Sequence, residues 1–347
     1  MELARRLVVR LCVGPGRFVG SRKGRVLGTG RRTGLIAHVR GSDLGGRASL
    51  RRGWCRQWSL IAVDDQDPQA GGLEVAAEGV HVTDKDDVRI VDHQMVARGG
   101  RDCVDIDRLD TLDAALDRVR PDVVVNCVGV VKQLAAAKDP IPSIGINALY
   151  PHLLARAARA RGARVIHIST DCVFDGVTGG YVEADVTNAT DLYGRTKALG
   201  ELTAPGTLTV RTSIIGRELS GTSGLVEWFL SRRGAAADGY RGAIFSGFTT
   251  AALSAILLRV IAEQPALEGL YHVSAPAIDK LALLGRLNEA FAAGVTIAPR
   301  DEPRIDRSLD SSRFQAATGI VPPGWDAMIA ALAADPTPYE AIRGLRA

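Results

Sequence analysis

The feature that most constrains this chain is an apolar run that recurs and stops each time at small or polar residues. "PDVVVNCVGV", "GARVIHIST" and "LTVRTSII" are nearly unbroken stretches of aliphatic and β-branched residues. A strand with one wetted face would alternate apolar and polar positions. Unbroken runs call for burial on both faces, the condition of a strand inside a parallel sheet. Parallel neighbours need long crossovers, and helical patterns stand where those crossovers must be. In "LDTLDAALDRVRPD", Leu112, Ala115, Leu116 and Val119 recur at helical spacing, with Asp110 as N-cap. "INALYPHLLARAARARGA" reads as a helix with Pro151 in its first turns and Gly162 as its stop. "LYGRTKALGE" reads as a third. The alternation predicts an α/β fold, a doubly wound, Rossmann-like parallel sheet over residues 1–216. After about residue 217 helical stretches such as "TTAALSAILLRVIAEQ" and "DKLALLGRLNEAFAAG" enclose short strands such as "GLYHVSA". These predict a smaller mixed α/β lobe over 217–347, packed against the first part with a cleft between them.

A nucleotide-binding sheet of this kind opens with a strand, a glycine turn and a helix. "RLVVRLCVGPGRFVGS" supplies a strand at Leu7–Val13 and a turn using Gly14, Gly16 and Gly20, with Arg17 where a further glycine is expected. The stretch after it, "SRKGRVLGTGRRTG", is too rich in Gly and Arg to hold the helix. Residues 1–100 therefore read as a degenerate or irregular cofactor half. Arg40, at the end of a second strand in "HVRGSD", is placed to meet the 2′-phosphate of NADPH.

The charge is uneven. Residues 1–56 carry fourteen Lys/Arg against two acids, within a chain whose net charge is +4. Those basic residues are interleaved with eleven glycines and show no helical period or stacking aromatics, so no nucleic-acid partner is expected. No apolar run reaches the roughly 18 residues of a membrane span. The N-terminus lacks the cleavage pattern of a signal peptide. Five scattered cysteines without a Cys-x-x-Cys pair point to a reducing cytoplasm. The six histidines show no ligand spacing, so no metal is expected.

Four features fall in one order. "RDCVDIDRLD", with Asp105 and Ile106, lies where the adenine edge of a cofactor pocket would be. "VVNCVG" ends one strand with Asn126, Cys127 and Val128. "HISTDCVFDG" ends the next with Ser169 and Thr170. Tyr193 and Lys197 follow, one helical turn apart, in "DLYGRTKALGE". The carboxyl ends of the strands of a doubly wound sheet line one crevice, so Thr170 and Tyr193 are expected to converge there. A cation one turn from a tyrosine is expected to lower its pKa by stabilising the phenolate.

The run "PDVVVNCVG … INALYP … GARVIHISTDCVFDG … GGYVEAD … DLYGRTKALGE … VRTSIIG" resembles the extended short-chain dehydrogenase/reductases. Within them it is most similar to the dTDP-4-dehydrorhamnose reductase group, over roughly residues 101–333. The resemblance implies an enzyme that reduces a nucleotide-linked 4-keto-6-deoxy sugar with NADPH or NADH, in deoxysugar and surface polysaccharide biosynthesis. It implies Tyr193 as proton donor, Lys197 beside the nicotinamide ribose and Thr170 on the reacting oxygen. Asn126, Cys127, Val128, Asn147, Ser169 and Arg211 fall on its cofactor side, and Lys132, Cys172, Phe174 and Phe245 on its sugar side. Cys172 replaces an aromatic residue usual in the group. A homodimer fits some of its members. Two other readings stay open on the same scaffold: a sugar-nucleotide epimerase, and a non-catalytic NAD(P)-binding regulatory protein.

Overall fold

The three apolar runs become the centre of one parallel sheet. A computed structural model of the chain describes residues 109–347 apart from 133–134, 219–221, 338 and 340–347, together with the short strands Leu7–Val8, Leu11–Cys12 and Trp58–Ser59. The sheet runs in the order β1 (Leu7–Val8), β2 (Val123–Asn126), β3 (Arg164–Thr170), β4 (Thr207–Thr212) and β5 (Gly269–His272), all parallel. The continuous strand expected over Leu7–Val13 appears as two pieces. Leu7–Val8 pairs with Val123–Val124, whereas Leu11–Cys12 pairs antiparallel with Trp58–Ser59.

Helices α1 (Leu109–Val119), α2 (Tyr150–Arg159) and α3 (Leu192–Leu199) are the crossovers. The predicted stripe of α1, Leu112, Ala115, Leu116 and Val119, is its buried face. Asp110 lies inside the first turn of α1 rather than capping it. Pro151 sits at the start of α2, and Gly162 follows the helix with φ +76°, a left-handed conformation that glycine adopts at little cost. Ile166 and Leu208 are completely buried between the helical layers, each contributing on the order of 1.5–3 kcal/mol by area.

The excursion from β4 to β5 includes α4 (Thr250–Glu263), and β5 is followed by α5 (Lys280–Ala290) and α6 (Trp325–Ala333). Short sheets join Ala243–Phe245 to Ile278–Asp279 and Ile305–Asp306, and Ala236–Tyr240 to Thr296–Arg300. "GLYHVSA", expected inside the smaller lobe, instead supplies β5, so the chain returns to the main sheet after residue 217. A single apolar cluster extends from Val125, Ile166 and Leu208 through Phe245 and Phe248 to Leu283 and Trp325. Sheet and lobe therefore share a core. Among the described residues no helix is long and apolar enough to cross a membrane.

Candidate active site

The carboxyl ends of β2, β3 and β4 lie side by side, with Asn126 opposite His167 and Thr170 opposite Thr212. Beyond β2 the chain turns because the Asn126 carboxamide oxygen accepts from the Val128 amide at 3.1 Å. Asn147 clasps the next residues, accepting from the Val130 amide at 2.8 Å and donating to its carbonyl at 3.0 Å. A side chain on Gly129 would come within 3.2 Å of the Asn147 oxygen. The two buried asparagines thus fix, from behind, a turn that shows its backbone to the cleft.

Beyond β3, Thr170 caps a 3-10 turn over Asp171–Val173. Its Oγ1 accepts from the Cys172 amide at 3.1 Å, while its hydroxyl donates to Asp171 Oδ1 at 3.0 Å. Helix α3 docks on that turn. Asp191 caps it by accepting from the Gly194 amide at 2.9 Å, and also accepts from Lys132 Nζ at 2.6 Å. A β-carbon at Gly194 would lie 2.2 Å from the Cys172 carbonyl oxygen, so only glycine permits this approach. The close docking brings Tyr193 to the same cleft wall as Thr170. One turn on, the Lys197 ammonium donates to the Ile168 carbonyl at 2.7 Å.

These groups border a cleft of about 390 Å³ whose far wall comes from the lobe. Lys280, the first residue of α5, places its ammonium 4.4 Å from the centre of the Phe245 ring. Arg307 donates to the carbonyls of Phe174 and Asp175 at 2.8 and 3.1 Å and also lines the cleft. Burial raises the pKa of the Asp171 carboxyl, against the lowering effect of Thr170, Cys172, Arg307 and Lys280. Burial and the charge of Asp171 push the Cys172 thiol up to about 12, which makes it an inert small side chain. Burial lowers the Lys280 ammonium, opposed by Asp171 and Cys172. The phenol of Tyr193 is also raised, by desolvation first and then by its acidic neighbours Cys172, Asp171 and Asp191, with Thr170 acting in the other direction. The depression expected from Lys197 is not present. Its ammonium is turned to a backbone carbonyl, and the phenol stands among acidic neighbours.

Thr170, Tyr193 and Lys197 thus share one cleft, bordered also by Cys127, Val128, Ser169, Lys132, Cys172 and Phe245. Asn126, Asn147, Arg211 and Phe174 do not line it. Arg211 was expected at the cofactor, but both edges of its guanidinium serve the interior. It meets Glu201 through Nε and Nη2 at 2.8 Å each, and His272 Nε2 through Nη1 at 3.2 Å. Phe174 is wholly buried, stacked on Tyr181 with ring centres 4.0 Å apart and beneath the Arg211 guanidinium at 5.2 Å. It packs the interior and does not form a wall for a sugar. Gly14, Gly16, Gly20, Arg40, Asp105 and Ile106 lie outside the described residues. The lobe residues Lys280 and Arg307 belong to no sequence pattern with fixed offsets. The one local signal for Lys280 is the N-cap Asp279 that precedes it.

Residues 85–336 match the family model described as the RmlD substrate binding domain. The chain is 27% identical over 246 residues to the dTDP-4-dehydrorhamnose reductase of Aggregatibacter actinomycetemcomitans, spanning 64% of this chain and 84% of that one. It is 29% identical over 252 residues to the enzyme of the same name from Salmonella typhimurium, spanning 65% and 83%. Among solved structures, it is similar to a dTDP-4-dehydrorhamnose reductase from Clostridium acetobutylicum, with TM-score 0.62 and 22% identity over 71% of this chain and 89% of that one. It is likewise similar to the Bacillus anthracis reductase in complex with NADP, with TM-score 0.61, 22% identity and the same coverage. At that identity the two structural likenesses establish the fold.

Proposed function

We propose that this chain, which belongs to the RmlD substrate binding domain family, reduces the 4-keto group of a nucleotide-linked 6-deoxy sugar with hydride from NADPH or NADH. The observation that carries the reading is the meeting of Thr170, Tyr193 and Lys197 in one cleft at the carboxyl ends of parallel strands. The names of its relatives, dTDP-4-dehydrorhamnose reductases, support the substrate class.

The residues present suit a nicotinamide cofactor. The Cys127–Val131 turn offers backbone without a side chain at Gly129, and Lys197 sets a cation in the floor of the cleft. The bound dinucleotide supplies hydride to the carbonyl carbon. Everything else falls to the protein. Lys197 would hold the nicotinamide ribose. Tyr193, kept as a neutral phenol by its desolvated and acidic surroundings, has a proton ready for the oxygen that becomes an alkoxide. Thr170 orients that oxygen beside the phenol. The ammonium of Lys280 and the guanidinium of Arg307 give the lobe wall a positive potential suited to a nucleotide diphosphate. The five cysteines, scattered and without a Cys-x-x-Cys pair, support a cytoplasmic location. Exposed Ile141, Ile144, Leu149 and Leu199 support packing against a second copy. We read the division of labour as cofactor on the sheet part, to residue 216, and substrate on the lobe from 217.

Tyr193→Phe tests the reading. Turnover of a 4-keto sugar nucleotide, followed as cofactor oxidation, should fall about 10²–10⁴-fold, with cofactor affinity by calorimetry within about twofold of the parent. Retained turnover removes Tyr193 as the acid. Failure of the parent to bind either dinucleotide removes the reductase.

A further inference from the structure

The main sheet carries a polar row one residue short of the Thr170–Thr212 level. Ser169 on β3 stands opposite Arg211 on β4, and Arg211 opposite His272 on β5. All three are buried. The fourth member comes from outside the sheet. Glu201, two residues past the end of α3, reaches into the row. Its Oε1 accepts from Ser169 Oγ and Arg211 Nε, and its Oε2 from Arg211 Nη2, at 2.8 Å each. The remaining corner of the guanidinium, Nη1, meets His272 Nε2 at 3.2 Å, and His272 Nδ1 is tied to the Tyr181 carbonyl at 2.9 Å. A planar guanidinium held at three corners offers Glu201 a seat of fixed orientation.

Lys197 stands four residues before Glu201, about one helical turn away. Its ammonium lands on the carbonyl of Ile168, the residue next to Ser169. Two successive residues of β3 therefore receive two side chains from the same end of α3. The other side of that end is closed as well, because a β-carbon on Gly200 would collide with the Asn147 carbonyl oxygen. The end of α3 is wedged between Asn147 and the polar row, and Lys197 is its residue that borders the cleft.

On the reductase reading above, we propose that Glu201 and Arg211 are positioning residues for Lys197. Their fork, with the Ser169 hydroxyl, fixes how α3 sits on β3, and so fixes where the Lys197 ammonium meets the ribose of the bound dinucleotide. Neither Glu201 nor Arg211 borders the cleft, and both act only through the end of the helix. A buried ion pair is a weak source of stability beside apolar packing, but it is directional. Two parallel donors hold a carboxylate in one orientation, whereas apolar contacts alone let a short helix shift along the strand.

Arg211→Lys keeps the positive charge and loses the fork, so it separates orientation from charge. The parent, R211K, K197M and the double variant are each titrated with NADPH by calorimetry. R211K and K197M should each weaken NADPH about tenfold or more. The double variant should bind within about twofold of K197M alone, since the position of an ammonium has no consequence once the ammonium is gone. In steady state R211K should raise the KM for NADPH and leave the KM for the nucleotide sugar unchanged. Losses that multiply in the double variant, or parental NADPH affinity in either single variant, overturn the proposal and leave the reductase reading in place. A parent that binds neither NADPH nor NADH removes that reading, and the positioning role with it. Should R211K fail to fold by urea unfolding, Ser169→Ala runs the same cycle. It keeps the Arg211–Glu201 pair and cuts only the tie to β3. Its loss of affinity must likewise vanish when Lys197 is methionine, and a loss that persists there, or no loss at all, overturns the proposal.

Discussion

Lys280 is a cation with an aromatic face on one side and the buried Asp171 carboxyl as its acidic neighbour. Partial burial of an ammonium is costly unless an anion or strong acceptor meets it, and a nucleotide sugar brings a diphosphate. Lys280→Met keeps the packing on Phe245 and removes the charge. It should weaken nucleotide-sugar binding about 10–100-fold, the value of one charge-assisted hydrogen bond, and leave dinucleotide affinity unchanged. Calorimetry with each ligand separates the two, and equal weakening of both would refute the assignment. At this scale the legible residues were those with fixed offsets on their own element. Thr170 closes an apolar run, and Tyr193 and Lys197 stand one turn apart. Lys280 and Arg307 reach the cleft from elements more than eighty residues further along the sequence, and no local period announces them. Arg211 sits in the interior for a different reason. Successive residues of a strand face opposite ways, and a one-residue uncertainty moves a side chain from cleft to interior. Thr212, its neighbour, lines the cleft.

The elements around the site are tied together by the pair that Arg211 makes. Its guanidinium and the Glu201 carboxylate are 5% and 8% exposed, and Ser169 Oγ adds a donor to Glu201 at 2.8 Å. The pair fastens the end of α3 to β3 and β4, with Phe174 beneath it. Removing one partner leaves a buried charge uncompensated, at a cost of about 3–5 kcal/mol, whereas replacing both with apolar residues costs much less. Arg211→Met should therefore destabilise the protein more than Glu201→Met with Arg211→Met together, by chemical denaturation. If the double variant is the weaker, the pair is a net source of stability. Most helices were legible from period and caps, but the helical segment before α2 was not. Ile144–Leu149 is a π-turn, with the Tyr150 amide bonded to the Gly145 carbonyl five residues back. Pro151 follows at once and has no amide to continue the ladder. The hydrophobic pattern alone does not distinguish this wider turn from an α-helix.

Across the whole molecule, two histidines are locked neutral by their hydrogen bonds, and both sit on strands of the main sheet. Asn126 donates to His167 Nδ1 at 3.0 Å, so that nitrogen accepts and the proton is on Nε2. Arg211 donates to His272 Nε2, and His272 Nδ1 donates to the Tyr181 carbonyl at 2.9 Å. Adding a second proton to either ring would set N–H against N–H. Burial first, then the Lys197 cation, holds His167 well below its usual range; burial also lowers His272, opposed by Glu183 and the Tyr181 carbonyl and aided by Arg211. The unfolded chain takes up these protons near pH 6.5 and the folded one only further down. Stability is therefore full above about 6.5 and falls as the pH drops from there toward the folded values. Each histidine contributes a slope of about 1.4 kcal/mol per pH unit across that window. Asp171, raised by burial, has the opposite sign, its contribution being present below the unfolded value and lost as the pH rises through the folded one. Urea unfolding of D171N at a series of pH values from 7 to 5 isolates the histidines. It should show a falling unfolding free energy with a slope approaching about 2.7 kcal/mol per unit where both titrate together. Stability unchanged over that range would mean that the rings accept protons in the folded sheet, and the tautomers assigned to them would be wrong.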